Sequence, residues 1–145
     1  MSDVAAHSQR DTIHLLEHVP PHPVRASDPH YHLFEEAKRR IKAAGLWKCA
    51  VPSGPHSADL ELHHSRVEYS LQGGVDLGEI NRAYGLNLAD DEAFRAWIES
   101  EGNLECLCAT HHRTTLGVHK LPEPDWLALR VWRADLPPPA EVVTP

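Results

Sequence analysis

Two histidine-bearing stretches constrain this chain more than any other feature. The first is Leu60-Glu61-Leu62-His63-His64; the second is Asn103-Leu104-Glu105-Cys106-Leu107-Cys108-Ala109-Thr110-His111-His112-Arg113. In the first, Leu60 and Leu62 alternate with Glu61 and His63, the period-two pattern of a half-buried strand. Glu61 and His63 therefore share one face while the leucines pack. Neutral imidazole is a common ligand for zinc, nickel, iron or copper. A second imidazole beside a ligand, with an ordinary pKa of about 6.5, can take a proton from water near neutral pH. Adjacent histidines thus permit a ligand and a base, and one ring cannot do both jobs at once.

With 145 residues and 41% hydrophobic content, the chain suffices for one small domain with a modest core. Residues 1–27 read as a flexible N-terminal segment and 28–133 as the folded domain. Residues 134–145, which include Pro137-Pro138-Pro139, read as a Pro-rich disordered tail. No apolar run approaches the roughly 18–20 residues that span a bilayer, and the N-terminus lacks the basic and apolar regions of a signal peptide. A cytoplasmic protein is expected. Three cysteines, two of them only two residues apart, do not make a disulfide framework, and metal binding is the better use for them. Of the twelve histidines, His14, His18, His22, His30 and His32 lie in a linker-like region where a solvated or packed role is expected. A net charge of −7 argues against passive coating of a polyanion, though not against a local basic surface.

Along the chain, a short helix or strand starting near Asp11 would be ended by Pro20, Pro21 and Pro23. Asp28-Pro29 is a helix start. Phe34, Ala37, Ile41 and Ala44 share a face of that helix, and Gly45 stops it. The same helix carries Lys38, Arg39, Arg40 and Lys42, the densest basic cluster, which is either a solvated face or a set of phosphate contacts. Leu46–Val51 reads as a strand that would pair with Asp59–His63 in a hairpin. Asp76-Leu77-Gly78-Glu79 resembles a capping box, and Asp90 or Asp91 would cap a further helix bearing Phe94, Trp97 and Ile98. A last amphipathic stretch runs from Pro124 to about Arg133.

The His-His pair followed by Asn-Leu-x-x-Leu-Cys-x-x-His-His-Arg resembles the HNH nuclease motif, over roughly Trp47 to His119. The resemblance implies an α+β fold: a ββα-metal core (β-hairpin plus helix) with a helical insert and flanking helices. It further implies an endonuclease cutting DNA phosphodiester bonds with one divalent ion (Mg, Mn, Ni or Zn). His63 and His112 would hold that ion, with His119 as a third ligand at longer spacing than usual. His64 would be the general base, Asn103 would orient the loop carrying it, and Arg113 would hold a phosphate or form a surface salt bridge.

Many members of that family also carry a structural zinc on two Cys-x-x-Cys pairs, and this chain has none. Instead Cys49 is followed by His56, and Cys108 by His111 in the position of the second pair. Two thiolates and two imidazoles suit tetrahedral zinc and would staple a small core; the bland alternative is ordinary buried cysteines. Cys106 is expected to pack. A rival to the enzyme is a zinc-stabilised ββα module that only binds DNA or protein.

Overall fold

The computed structural model describes residues 4–10, 16, 18–114 and 116–141. The element expected from Asp11, together with His14, lies outside them, as do residues 1–3 and 142–145. Helix α1 spans Tyr31–Ala43, strand β1 Leu60–His64, α2 Leu77–Tyr84, α3 Asp91–Ile98, β2 Leu104–Cys108, α4 Ala109–Arg113 and α5 Glu123–Arg130. The architecture is α+β: a two-stranded antiparallel sheet with helices around it. Among the described residues, no helix is long and apolar enough to cross a membrane.

Local chemistry sets most boundaries. Asp28 accepts from the backbone N–H of His30 at 2.8 Å ahead of α1, and Gly45, with φ +74°, follows its end. Asp76 caps α2 by accepting from Glu79 N–H at 2.9 Å, and Asp90 caps α3 by accepting from Ala93 N–H at 2.8 Å. Each such cap is worth about 1 kcal/mol.

The sheet is not the hairpin expected from local pattern. No strand forms over Leu46–Val51; its backbone tie to the sheet is Ala50 N–H donating to Cys106 O at 2.9 Å. Pro52 has no N–H with which to continue a ladder. The partner of β1 is β2, from the second motif stretch, in the register Leu60↔Cys108, Glu61↔Leu107, Leu62↔Cys106, His63↔Glu105 and His64↔Leu104.

That register divides the residues between two faces. On one, Leu62 and Leu104 pack with Phe34, Ala37 and Ile41 of α1. On the other, Leu107 packs with Val51, Trp126 and Leu129, so α5 covers the face that also carries Glu61 and His63. Full burial of each large apolar side chain contributes about 1.5–3 kcal/mol. The segment between the strands builds its own core from Val67, Tyr69, Ile80, Phe94 and Ile98.

Within the stretch expected to be flexible, Pro23 O accepts from Tyr69 Oη at 3.1 Å. Arg25–Ser27 form a 3-10 turn. His30 is buried, its Nδ1 2.9 Å from Asp28 Oδ1 and its Nε2 2.6 Å from Glu92 Oε1.

Candidate metal centres

Among the described residues, two groups of side chains bring potential metal donors within 4.8 Å of one another: Cys49, His56, Cys108 and His111, and separately His63, His112 and His119. Helix α4 supplies one histidine to each. It begins directly after β2, so Cys108 at the strand end and His111 one helical turn later face the same point.

In the four-donor group, His111 Nδ1 lies 3.3 Å from Cys108 Sγ and 3.5 Å from Cys49 Sγ, while His56 Nδ1 lies 3.6 Å from Cys108 Sγ. Tetrahedral zinc, with bonds of about 2.3 Å to sulfur and 2.0–2.1 Å to nitrogen, would set sulfur–nitrogen edges of about 3.6 Å. The donors present fit such an ion. Burial alone would raise the Cys108 thiol. Hydrogen bonds at Ser57, His111 and His56 outweigh it and bring the pKa down to about 5. Cys49 is pushed up by burial and by the neighbouring Cys108 charge. Cys106, on the sheet and outside the group, is buried and pushed up to about 11, first by burial.

In the three-imidazole group, ring centres are 5.1 Å apart for His63–His112, 5.0 Å for His63–His119 and 4.8 Å for His112–His119. Both ring nitrogens of His63 are buried without a hydrogen-bond partner among the described residues. An orphaned buried imidazole is costly unless something binds it. Burial first, then the charges of His112, His119, His64 and Arg130, lower its pKa to about 3, so the ring is neutral and its lone pair available. His112 Nδ1–H donates to Glu61 Oε1 at 3.0 Å, which leaves Nε2 for an ion. Such carboxylate–imidazole pairs orient metal ligands. Arg113 Nε donates to the same oxygen at 2.8 Å. Burial would raise the Glu61 carboxyl, but His112 and Arg113 hold it below the usual carboxylate range.

His119 reaches the group because the chain doubles back tightly. Val118 N–H donates to His111 O at 2.9 Å. A Cβ on Gly117 would stand 2.8 Å from both the carbonyl carbon and oxygen of His112. Only glycine fits there. His119 Nδ1 also lies 3.5 Å from Glu68 Oε2.

His64 leaves the strand on the other face. Its ring stacks at 6.2 Å on Phe34 and lies 5.9 Å from Tyr69. Its Nε2–H donates to Glu99 Oε1 at 2.7 Å. Glu99, 2% exposed, also accepts from Arg25 Nη2 at 2.7 Å. The Arg25 guanidinium sits 4.1 Å from the centre of the Phe34 ring. Burial pushes the Glu99 carboxyl up, but His64 and Arg25 outweigh it and hold it low. Neither Glu99 nor Arg25 was among the candidates from sequence, and no spacing signal marks them, since both reach His64 from far along the chain.

Asn103 is fully buried and spends its whole amide on backbone. Its Oδ1 accepts from Arg66 and Val67 N–H, each at 2.9 Å, and its Nδ2 donates to Val67 O and Ile98 O, each at 3.0 Å. It thereby ties the loop after His64 to the end of α3.

The basic residues of α1 are not brought to either group. The helix covers the sheet face opposite His63. Arg40 pairs with Glu101 at 2.6 Å, and the Lys38 and Lys42 ammonium groups lie 5.6 and 4.6 Å from the Trp47 ring centre. Arg39 is exposed. No family model matches the chain, and neither a curated protein nor a solved structure matches it.

Proposed function

We propose that this protein is a metal-dependent endonuclease of the HNH type that hydrolyses DNA phosphodiester bonds. The observation that carries the reading is the three-imidazole group on β1, α4 and the Gly117 turn, with His63 buried and its nitrogens unpartnered. Three imidazoles around one point leave a coordination position open, the arrangement of catalytic rather than structural sites. A divalent ion there would supply Lewis-acid charge at the scissile phosphate.

The chain's own residues divide the remaining work. His63, His112 and His119 hold the ion, and Glu61 fixes the His112 ring. His64 is the base. Glu99 takes its Nε2–H, which fixes the tautomer and leaves Nδ1 to accept a proton from water. Arg25 keeps Glu99 in place. Asn103 holds the loop that follows the base. Cys49, His56, Cys108 and His111 hold a structural zinc.

The second reading, a zinc-stabilised ββα module without catalysis, rests on one observation: His64 is buried on the face away from His63. A supercoiled-plasmid nicking assay with magnesium, manganese, nickel and zinc separates the two. The enzyme nicks with at least one ion. H64A then loses about 10²–10⁴ in rate while keeping its metal. Absence of nicking with every ion, or full activity in H64A, would overturn the catalytic assignment and favour the binding module.

A further inference from the structure

Beside the three-imidazole group lies a cavity of about 530 Å³. Its wall is continuous with the group: Glu105 is the cross-strand partner of His63, and Val118 precedes His119. The far wall is Tyr84 at the end of α2 and Trp126, Leu127 and Arg130 of α5. Two arginines line this space together with two carboxylates, Glu105 and Glu123. Arg130 contacts Glu105 through Nη1 alone, one of five donors on its fork, and lies close enough for its charge to act on His63. Arg66 is exposed, and its Cζ lies 4.7 Å from the centre of the Tyr84 ring. The backbone of Arg66 is pinned by Asn103, so the buried amide that holds the loop after the base also sets this arginine.

We infer that this cavity receives an unpaired stretch of the substrate strand, with Arg66 and Arg130 on its phosphates and Tyr84 as a stacking platform for a base. The inference rests on the nuclease reading and adds to it which strand form is bound, and where. A space of this size holds a small number of nucleotide units, whereas a duplex presents grooves that admit protein elements and does not itself enter a cavity. Cations along a groove with an accessible aromatic face are what single strands require. Tyr84 is 41% exposed and Leu127 52% exposed, an aromatic and an apolar surface at the rim. Arg66 lies over the Tyr84 ring and the Trp97 ring centre is 6.5 Å from it, so a base stacks on Tyr84 as the Arg66 guanidinium moves to a phosphate. The alternative cations, Lys38, Arg39, Arg40 and Lys42, lie across the sheet from His63.

The test is fluorescence anisotropy of a short labelled oligothymidylate, and of a hairpin duplex of equal length, with the full chain and no added divalent ion. The parent protein binds the single strand more tightly. R66Q and R130Q each weaken binding about tenfold and flatten the salt dependence by about 0.7 units of slope. Y84A weakens it about tenfold with the slope unchanged. R39Q changes neither. R130Q is read alongside its melting temperature because it loses Glu105; R66Q and Y84A, at exposed positions, carry the result if it unfolds. Unchanged affinity in R66Q and Y84A, a larger effect in R39Q, tighter binding of the duplex, or no binding by the parent would each overturn the inference. Nicking that persists with unaltered groove-variant binding removes the groove and leaves the nuclease. Groove-dependent binding in a protein that nicks nothing keeps the groove and removes the hydrolysis.

Discussion

The four-donor group around His111 and the three-imidazole group around His112 hang from neighbouring residues of one five-residue helix, yet they are built differently. Successive helical residues point about 100° apart, so α4 delivers each ring to its own group. The first offers four donors, enough to close a tetrahedral shell: two sulfurs and two nitrogens, with His111 and Cys108 fully buried, Cys49 half-buried and His56 exposed. The second has one donor fewer, a carboxylate behind His112, and a third ring, His119, that is 36% exposed. A closed site holds structure together, and an open one leaves room for a substrate. The strand repeats the device, because period-two alternation sends His63 to the open group and His64 to Glu99.

The largest effect is expected from emptying the four-donor site. C108S is expected to lose one zinc per chain and about 4–5 kcal/mol or more of stability, read by metal analysis and thermal melting. An equally stable C108S would make the two groups alike. Next in size is the open site. H112A is expected to fall more than about 100-fold in nicking activity, and E61Q, which removes only the orienting carboxylate, about 10–100-fold. Both should keep the zinc and the parental melting temperature.

Acid sharpens the contrast further. The folded-state pKa of His63 is lowered to about 3, below its ordinary value of about 6.5. As pH falls through about 6.5 the unfolded chain takes up a proton there and the folded chain does not. The contribution is therefore fully present above about pH 6.5 and is lost progressively toward pH 3, with a slope of up to about 1.4 kcal/mol per pH unit. Urea melts at a series of pH values should show this slope with the open group metal-free, and H63L should flatten it.

Gly117 tests the turn that completes the open group. G117A must relieve Cβ contacts with the His112 carbonyl, at a cost of about 1–3 kcal/mol, and should weaken the open-site ion without releasing zinc. The smallest effect belongs to Cys106, which sits on the sheet outside both groups. C106A should cost about 1 kcal/mol and leave metal content unchanged, as a packed cysteine does.

Much of this was written locally. The Gly45 stop of α1 and the cap at Asp76 are legible because caps and turns act within a few residues; α1 itself begins at Tyr31, behind His30 and without a side-chain cap, two residues later than the Asp28-Pro29 pair reads. The donor residues of both groups were legible too, because histidines and cysteines at such spacings are rare. Local pattern misled at Leu46–Val51, where an apolar stretch next to β1 read as its partner. An open strand edge accepts whichever chain supplies a matching face, and β2, with Leu104 for α1 and Leu107 for α5, buries both sides at once. The sequence alone determined which residues could hold metal, since donor chemistry belongs to the side chain. Only the tertiary structure decided that Glu99 and Arg25 stand behind His64, and that the α1 cations lie across the sheet. Each of those depends on contacts between residues far apart in the chain, and no local period records them.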